Sequence, residues 1–227
     1  MATVRDVFAR KELKYRISRR RKDVLLAVLD GRIEPDEFGL TRITSLYYDT
    51  PERLLALRSY DKPFYKEKLR LRLYGDPSDG ERVFVEVKKK LDGIVYKRRV
   101  GMSRAAARAY LTGMPYERAC RRFPLDDAAA NAASLSPRSR QIAREIDAFK
   151  MRYGALEPTI EVTCSRKSFA ERTSAATGRA SSVQRAAEAS AAGQTSALRL
   201  TFDEDLAWRD ASRPGFEPRR LLYPGEV

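Results

Sequence analysis

The chain has 227 residues, of which 45 are Lys or Arg, 31 are Asp or Glu and none is His, so its formal net charge is +14. Without histidine there is no Ser-His or Cys-His nucleophile pair and no imidazole metal ligand, and any bound metal would be oxygen-ligated, as Mg²⁺ and Mn²⁺ are. A charge this far from zero destabilises a compact state and indicates an anionic partner: nucleic acid, a membrane surface, or an anionic small molecule or polymer.

The length fits a single domain over residues 1–227. Residues 173–197 are rich in Ala, Ser, Thr and Gly and predict a flexible insertion. Cys120 and Cys164 lack the spacing of a metal site, which favours a reducing compartment. With no apolar signal region and no stretch of about 20 apolar residues, the sequence predicts a cytoplasmic protein, and peripheral contact with the inner membrane face stays open.

The first 50 residues predict a strand, a helix and a second strand. Residues 10–17, RKELKYRI, alternate in polarity and place Glu12 and Lys14 on one face of a strand. Ser18 predicts the N-cap of a helix. Residues 41–50 alternate again and predict the second strand, which a short helix follows.

The clearest alternation lies in three consecutive segments that predict an antiparallel meander. They are KEKLRLRLY at 66–74, RVFVEVKKK at 82–90 and IVYKRRV at 94–100, and turn-forming residues separate them. Charged side chains occupy alternate positions in each segment. These are Lys66, Lys68, Arg70 and Arg72, then Glu86, Lys88 and Lys90, then Lys97 and Arg99.

The second half of the chain predicts two helices and two further strands. Ser103 and Ser136 have the character of helix N-caps, whereas residues 114–135 look irregular. The helix after Ser136 is predicted to end at Gly154 and to carry an apolar stripe of Ile142, Ile146, Phe149 and Tyr153. Residues 159–169 and 197–209 alternate as strands. The last strand carries Arg199, Thr201 and Asp203 on one face.

The basic residues of these strands are expected to share one side of one sheet. A single charged strand face usually points to solvent. Here five or six strands repeat the pattern, and the amphipathic helices need the apolar faces as a packing surface, so we predict an α+β fold with helices outside a curved antiparallel sheet. Facing like charges repel, so the basic side is expected to hold an anion, and Arg suits phosphate. Glu12, Glu86 and Asp203 interleave with the cations and are candidate ligands of a divalent metal.

The order of the short motifs resembles that of a known family, the polyphosphate polymerase domain of the VTC type, in the CYTH-like superfamily of triphosphate tunnel enzymes. The resemblance spans about residues 10–210. The motifs are KELKYR, SLYYDTP, KLRLR, FVEVKKK, YKRRV, RKSFAE and LRLTFD. It implies a β-barrel tunnel lined by basic residues, in which the γ-phosphate of a nucleoside triphosphate such as ATP is transferred onto polyphosphate with Mn²⁺ or Mg²⁺.

The resemblance also assigns roles by motif position. The implied catalytic residues are Lys14, Arg70, Arg72, Lys88 and Lys97, and the implied phosphate-binding residues add Arg166 and Arg199. Lys68 and Arg99 join the phosphate-binding candidates because they share the alternating basic faces of the same strands. In the strand at 159–169, alternation puts Arg166 on the same face as Val162 and Cys164, which are not charged. Arg166 is therefore the single motif-matched position that the alternation does not place on a basic face. Such a transferase works by neutralising phosphate oxygens and aligning the acceptor, which requires no histidine.

The sequence departs from the family pattern at its end. The family continues into a final strand with an ExK pattern, whose Glu binds metal and whose Lys is catalytic. Here Glu226 is followed only by Val227. The expectation is a tunnel that lacks its last strand, with reduced or absent polymerase activity, unless a partner chain completes the barrel.

Two other functions stay open. Hydrolases of triphosphate or short polyphosphate in the same superfamily usually carry ExExK on the first strand, whereas this chain has Arg10, Glu12 and Lys14. A non-catalytic module that binds polyphosphate or RNA would need no final strand. RNA is the weaker candidate partner, because its recognition usually adds stacking aromatic side chains and the basic faces have few.

Overall fold

The computed structural model describes residues 7–10, 13–61, 63–92, 94–172, 199–212 and 220–222. The strands are β1 Val7–Arg10, β2 Ile33–Asp49, β3 Tyr65–Tyr74, β4 Arg82–Leu91, β5 Ile94–Ser103, β6 Glu157–Glu171, β7 Arg199–Asp210 and β8 Arg220–Leu221. The helices are α1 Arg19–Val28, α2 Leu54–Tyr60, α3 Arg104–Leu111, α4 Tyr116–Arg122, α5 Ala128–Ser134 and α6 Pro137–Tyr153.

All eight strands belong to one sheet, in the order β1-β5-β4-β3-β2-β6-β7-β8, and each neighbouring pair is antiparallel. The α+β class and the packing of helices outside the sheet are confirmed. Within the described ranges the sheet is open, with β1 and β8 at its two edges. No helix in these ranges is long and apolar enough to cross a membrane.

Two predicted segments are wrong. The first strand is Val7–Arg10 rather than residues 10–17, and residues 13–17 have no regular structure. Residues 114–135, predicted to be irregular, contain α4 and α5. Both helices have only seven residues, which is too short for a clear period, and the Asp127 carboxylate caps the second by accepting from the Ala130 N–H. The predicted insertion at 173–197 lies outside the described residues.

The core lies between the helices and one face of the β3–β4–β5 meander. Val83, Val85 and Val87 on β4 are each at most 2% exposed and belong to the same apolar cluster as the α6 stripe. Ile142, Ile146 and Phe149 of that predicted stripe are buried. Each buried side chain of this size stabilises the fold by about 1.5–3 kcal/mol. The helices therefore cover the apolar face, and the charged face lies on the other side.

Candidate anion-binding site

Strand register brings the basic residues together on the face opposite the helices. Directly opposite residues in an antiparallel pair share a face, so pairing across β3, β4 and β5 places the charged side chains in rows. Two such rows are Lys68–Lys88–Lys97 and Arg70–Glu86–Arg99. The alternation predicted this common face, and the hydrogen-bond register makes the residues neighbours.

Register also places Arg166 on the basic face. Arg72 lies opposite Ser45 on β2, and Ser45 lies opposite Val162 on β6. Because β6 is regular from Val162 to Arg166 on its β2 side, both residues share the face of Arg72. The alternation alone did not mark this face of β6 as basic, whereas the resemblance placed Arg166 with the other basic residues, and the register agrees with that position.

Glu86 is the centre of the basic face. Its side chain is fully buried and its carboxylate oxygens lie 2.7 Å from Arg70 Nη2 and 2.7 Å from Lys97 Nζ, with Arg99 Nη1 at 3.8 Å. Burial alone would raise the pKa of Glu86, but Arg70 and Lys97 outweigh it and hold the pKa at about 2. Glu86 is therefore an anion at neutral pH whose role is to hold cations in place.

The pKa values of the two closest cations shift in opposite directions, although Glu86 favours the charged form of both. Burial would lower the pKa of Arg70, but attraction to Glu86 outweighs it and raises that pKa. Burial lowers the pKa of Lys97 to about 8, because the attraction of Glu86 does not offset desolvation together with repulsion from Arg99. Lys97 is thus a charged lysine at neutral pH that loses its proton more readily than an exposed one.

Arg72 is a buried cation without a carboxylate partner among the described residues. It is 8% exposed, its Nη1 donates to Ser45 Oγ at 3.0 Å, and its Nε finds no acceptor in the part of the chain that the structure describes. Burial and the nearby Arg70 lower the pKa of Arg72. An unsatisfied guanidinium N–H that is shielded from water is costly, so this group favours an incoming anion.

Tyr47 and Ser45 belong to this face, although sequence reasoning did not select them. The Tyr47 hydroxyl lies 3.4 Å from Arg70 Nη1, and Lys68 Nζ lies 5.9 Å from the Tyr47 ring centroid. Burial would raise the pKa of Tyr47, yet Arg70, Arg72 and Lys68 together lower it. The lowered pKa of Tyr47 therefore indicates a positive electrostatic potential at its hydroxyl group. The alternation of polarity in SLYYDT is the sequence signal that would have placed Tyr47 on this face.

A second ion pair joins β6 and β7 on the basic face. Arg166 donates from Nε and Nη2 to the two carboxylate oxygens of Asp203, at 2.5 and 2.6 Å. Burial would raise the pKa of Asp203, but Arg166, Lys14 and Arg72 lower it. Arg72 acts on Asp203 from β3, three strands away in the sheet, which indicates that this face is concave.

The other predicted site residues lie towards the rim. Lys14 is exposed in the irregular stretch before α1, close enough to lower the pKa of Asp203. Lys68 and Lys88 are half-buried on β3 and β4. Arg199 pairs with Asp36 at 3.1 Å. It lies opposite Ala170 on β6, whereas Arg72 is level with Val162 on the same strand, eight residues away. Eight residues of a strand span roughly 25 Å, so Arg199 is distant from Arg72.

The described carboxylates are a poor fit for a metal centre. Glu86 and Asp203 are each ion-paired to arginine, and no group of three or more Cys, Asp or Glu side chains is arranged to hold a metal within the described ranges. Divalent cations prefer several free oxygen ligands, whereas the cations around these two groups would repel one. Glu12, the third predicted ligand, lies outside the described residues.

The fold and the site define an α+β protein with an open antiparallel sheet, helices on its apolar face and buried cations on its concave face. Residues 9–177, more than half of the chain, match the family model described as the VTC domain, and the chain belongs to that family. The resemblance read from the motifs is confirmed. A search of curated proteins finds no match. Membership indicates a function related to polyphosphate in general.

Proposed function

We propose that the chain binds a nucleoside triphosphate and polyphosphate on the basic face and transfers the γ-phosphate to the end of the polyphosphate chain. The family supports the polyphosphate part of this proposal. The observation that supports the site is Arg72, a buried guanidinium with an unsatisfied N–H beside the Arg70–Glu86–Lys97 cluster.

The proposed chemistry is electrostatic. A terminal oxygen of polyphosphate forms a bond to the γ-phosphorus of the nucleoside triphosphate. The bond between that phosphorus and the oxygen that bridges it to the β-phosphorus breaks, and the nucleoside diphosphate leaves with the electron pair. Arg72, Arg70 and Lys97 would neutralise oxygens of the transferred group. Glu86 holds Arg70 and Lys97 in position before substrate arrives, which lowers the cost of ordering them in the transition state.

The test is incubation of the chain with ATP, with and without a short polyphosphate primer and with and without Mn²⁺. Product length and released phosphate are followed together. Chain growth with release of nucleoside diphosphate supports a transferase, and free phosphate alone supports the hydrolase. Growth should fall sharply in Arg72→Ala and stay unchanged in Arg144→Ala, an exposed arginine on α6. The metal requirement stays a prediction that the Mn²⁺ arm tests.

A polyphosphate-binding module without catalysis is the second candidate. Its support is that Glu86 and Asp203, the described carboxylates predicted for metal binding, are both engaged by arginine. Tight polyphosphate binding that depends on Arg72, with neither chain growth nor phosphate release, would favour this function over transfer.

A further inference from the structure

A second group of charged side chains surrounds a cavity of about 180 Å³ on the helix side of the sheet. We call it the outer cavity. It lies where the first residues of β3 meet α2 and the last turn of α6. Its charged and hydroxyl-bearing lining residues are Arg58 from α2, Tyr65, Lys66 and Glu67 from β3, and Arg152 and Tyr153 from α6.

Among the described residues, Glu67 is the only carboxylate that lines the outer cavity, and its hydrogen-bonding capacity is already used. It is 3% exposed and accepts from Tyr65 Oη at 2.7 Å, Tyr153 Oη at 2.8 Å and Arg152 Nη1 at 2.9 Å. Burial and the bond to Glu67 raise the pKa of Tyr65 to about 12. The two hydroxyl protons therefore point at Glu67, and its charge is balanced by Arg152.

The remaining charge around the outer cavity is positive. Arg58 has no carboxylate partner among the described residues and lies beside the Tyr153 hydroxyl, where it opposes the rise in the pKa of Tyr153 that burial and Glu67 cause. Lys66 also borders the cavity, but on β3 it has the parity of Arg70 and belongs to the basic face. Arg152 keeps further N–H groups beyond the one that binds Glu67. Two arginines against one carboxylate favour an anionic ligand, and both present the planar fork that suits phosphate oxygens.

We propose that the outer cavity is a second anion site that takes a single phosphate or pyrophosphate group, held by Arg58 and Arg152. It is distinct from the basic face, because Glu67 and Arg70 point to opposite sides of β3. The two sites are nevertheless close, since Glu67 and Arg70 are three residues apart on one strand, about 10 Å. The ligand is either a free anion or the end of a polyphosphate chain; the second source rests on the proposed function.

The first experiment titrates inorganic pyrophosphate into the full chain by calorimetry. Wild-type protein and Arg144→Gln should bind at two sites. Arg58→Gln should weaken one site by about tenfold, the contribution of one charge-assisted hydrogen bond, and Arg72→Ala should weaken the other. Arg58 is exposed, so Arg58→Gln is expected to fold, and thermal unfolding checks this. Arg152→Gln serves as a second variant and should weaken the same site as Arg58→Gln.

The outcomes separate this inference from the proposed function. If Arg58→Gln and Arg152→Gln both bind pyrophosphate like wild type, the outer cavity is not an anion site. If Arg58→Gln loses a site and Arg72→Ala does not, the outer site stands and the assignment of the basic face fails. A single site that disappears in Arg72→Ala would overturn the outer site alone.

A second experiment identifies the source of the anion. Long-chain polyphosphate that reaches both sites gains affinity from the high effective concentration of its second segment. Its affinity should then drop in both Arg58→Gln and Arg72→Ala, because each variant weakens one of the two linked contacts. If Arg58→Gln leaves long-chain affinity unchanged but loses a pyrophosphate site, the ligand of the outer cavity is the free anion.

Discussion

At Val85 and Glu86, the two faces of β4 bury neighbouring side chains equally but by different physics. Val85 and Glu86 are adjacent in sequence, point to opposite sides of the sheet and are both 0% exposed. Val85 belongs to the apolar core under the helices, so its burial is stabilising by itself. Glu86 is buried among Arg70, Lys97 and Arg99, where each charge is tolerated only because the others are present.

The difference shows where the molecule gives up stability for binding. The side chains of the apolar core carry no charge, whereas the basic face keeps more positive than negative charge and an Arg72 N–H without an acceptor among the described residues. An anion that binds the folded state alone stabilises it by mass action. The basic face should therefore respond strongly to polyphosphate, and the apolar core should not.

The largest expected effect comes from Glu86→Gln. Arg70 and Lys97 would stay buried without a counter-charge, which should lower the free energy of unfolding by about 3–5 kcal/mol. Val85→Ala, one residue away on the other face, should cost about 2 kcal/mol through lost packing. Urea unfolding with and without polyphosphate measures both. Polyphosphate should stabilise Glu86→Gln more than wild type and Val85→Ala no more than wild type. Equal stabilisation of the two variants by polyphosphate would show that the loss of the Glu86 charge does not change the response of the basic face to an anion.

The next effect is that of Arg72→Ala on affinity. Removing a cation that has no carboxylate partner among the described residues should leave the stability unchanged or slightly higher, while polyphosphate affinity falls by at least about tenfold. Denaturation and calorimetry on the same preparation give the two numbers. A variant that loses stability and keeps its affinity would show that Arg72 is a packing residue.

A smaller effect is expected from pH through Lys97. Its pKa of about 8 in the free protein means that the side chain is charged below this pH and neutral above it. Polyphosphate prefers the charged form, so affinity should be constant below about pH 8 and fall by about fivefold above it. Lys97→Arg stays charged and should show no such fall. The same pH profile in both proteins would assign the titration to another group.

The smallest effect is expected from Arg199→Ala. Arg199 is exposed, is already paired with Asp36 and lies along β6 and β7 away from Arg72. Its replacement should change polyphosphate affinity by less than about twofold, as for most exposed charges. A loss as large as that of Arg72→Ala would extend the site along the whole length of β7.

Much of the basic face was predictable because a strand has a side-chain period of two. The alternation in KLRLR and FVEVK is sufficient to place Arg70, Arg72 and Glu86 on charged faces. The first strand was less predictable. The polarity of residues 10–17 alternates as regularly as in a true strand, yet the residues that pair with β5 are Val7–Arg10. Local alternation does not reveal whether a hydrogen-bonding neighbour is present.

The sequence alone was sufficient to predict the meander, the positive sign of its charged face, the apolar stripe of α6 and the order of motifs that marks the family. These are properties of residues close together in the chain. It was not sufficient to show that Glu86 is the buried centre of three cations or that Arg166 shares the face of Arg72. Nor did it show that Glu67 binds Arg152 and Tyr153 on the other side of β3. Each of these depends on register between strands, or on contacts between β3 and α6, that join residues far apart in sequence. Neither periodicity nor composition carries that information.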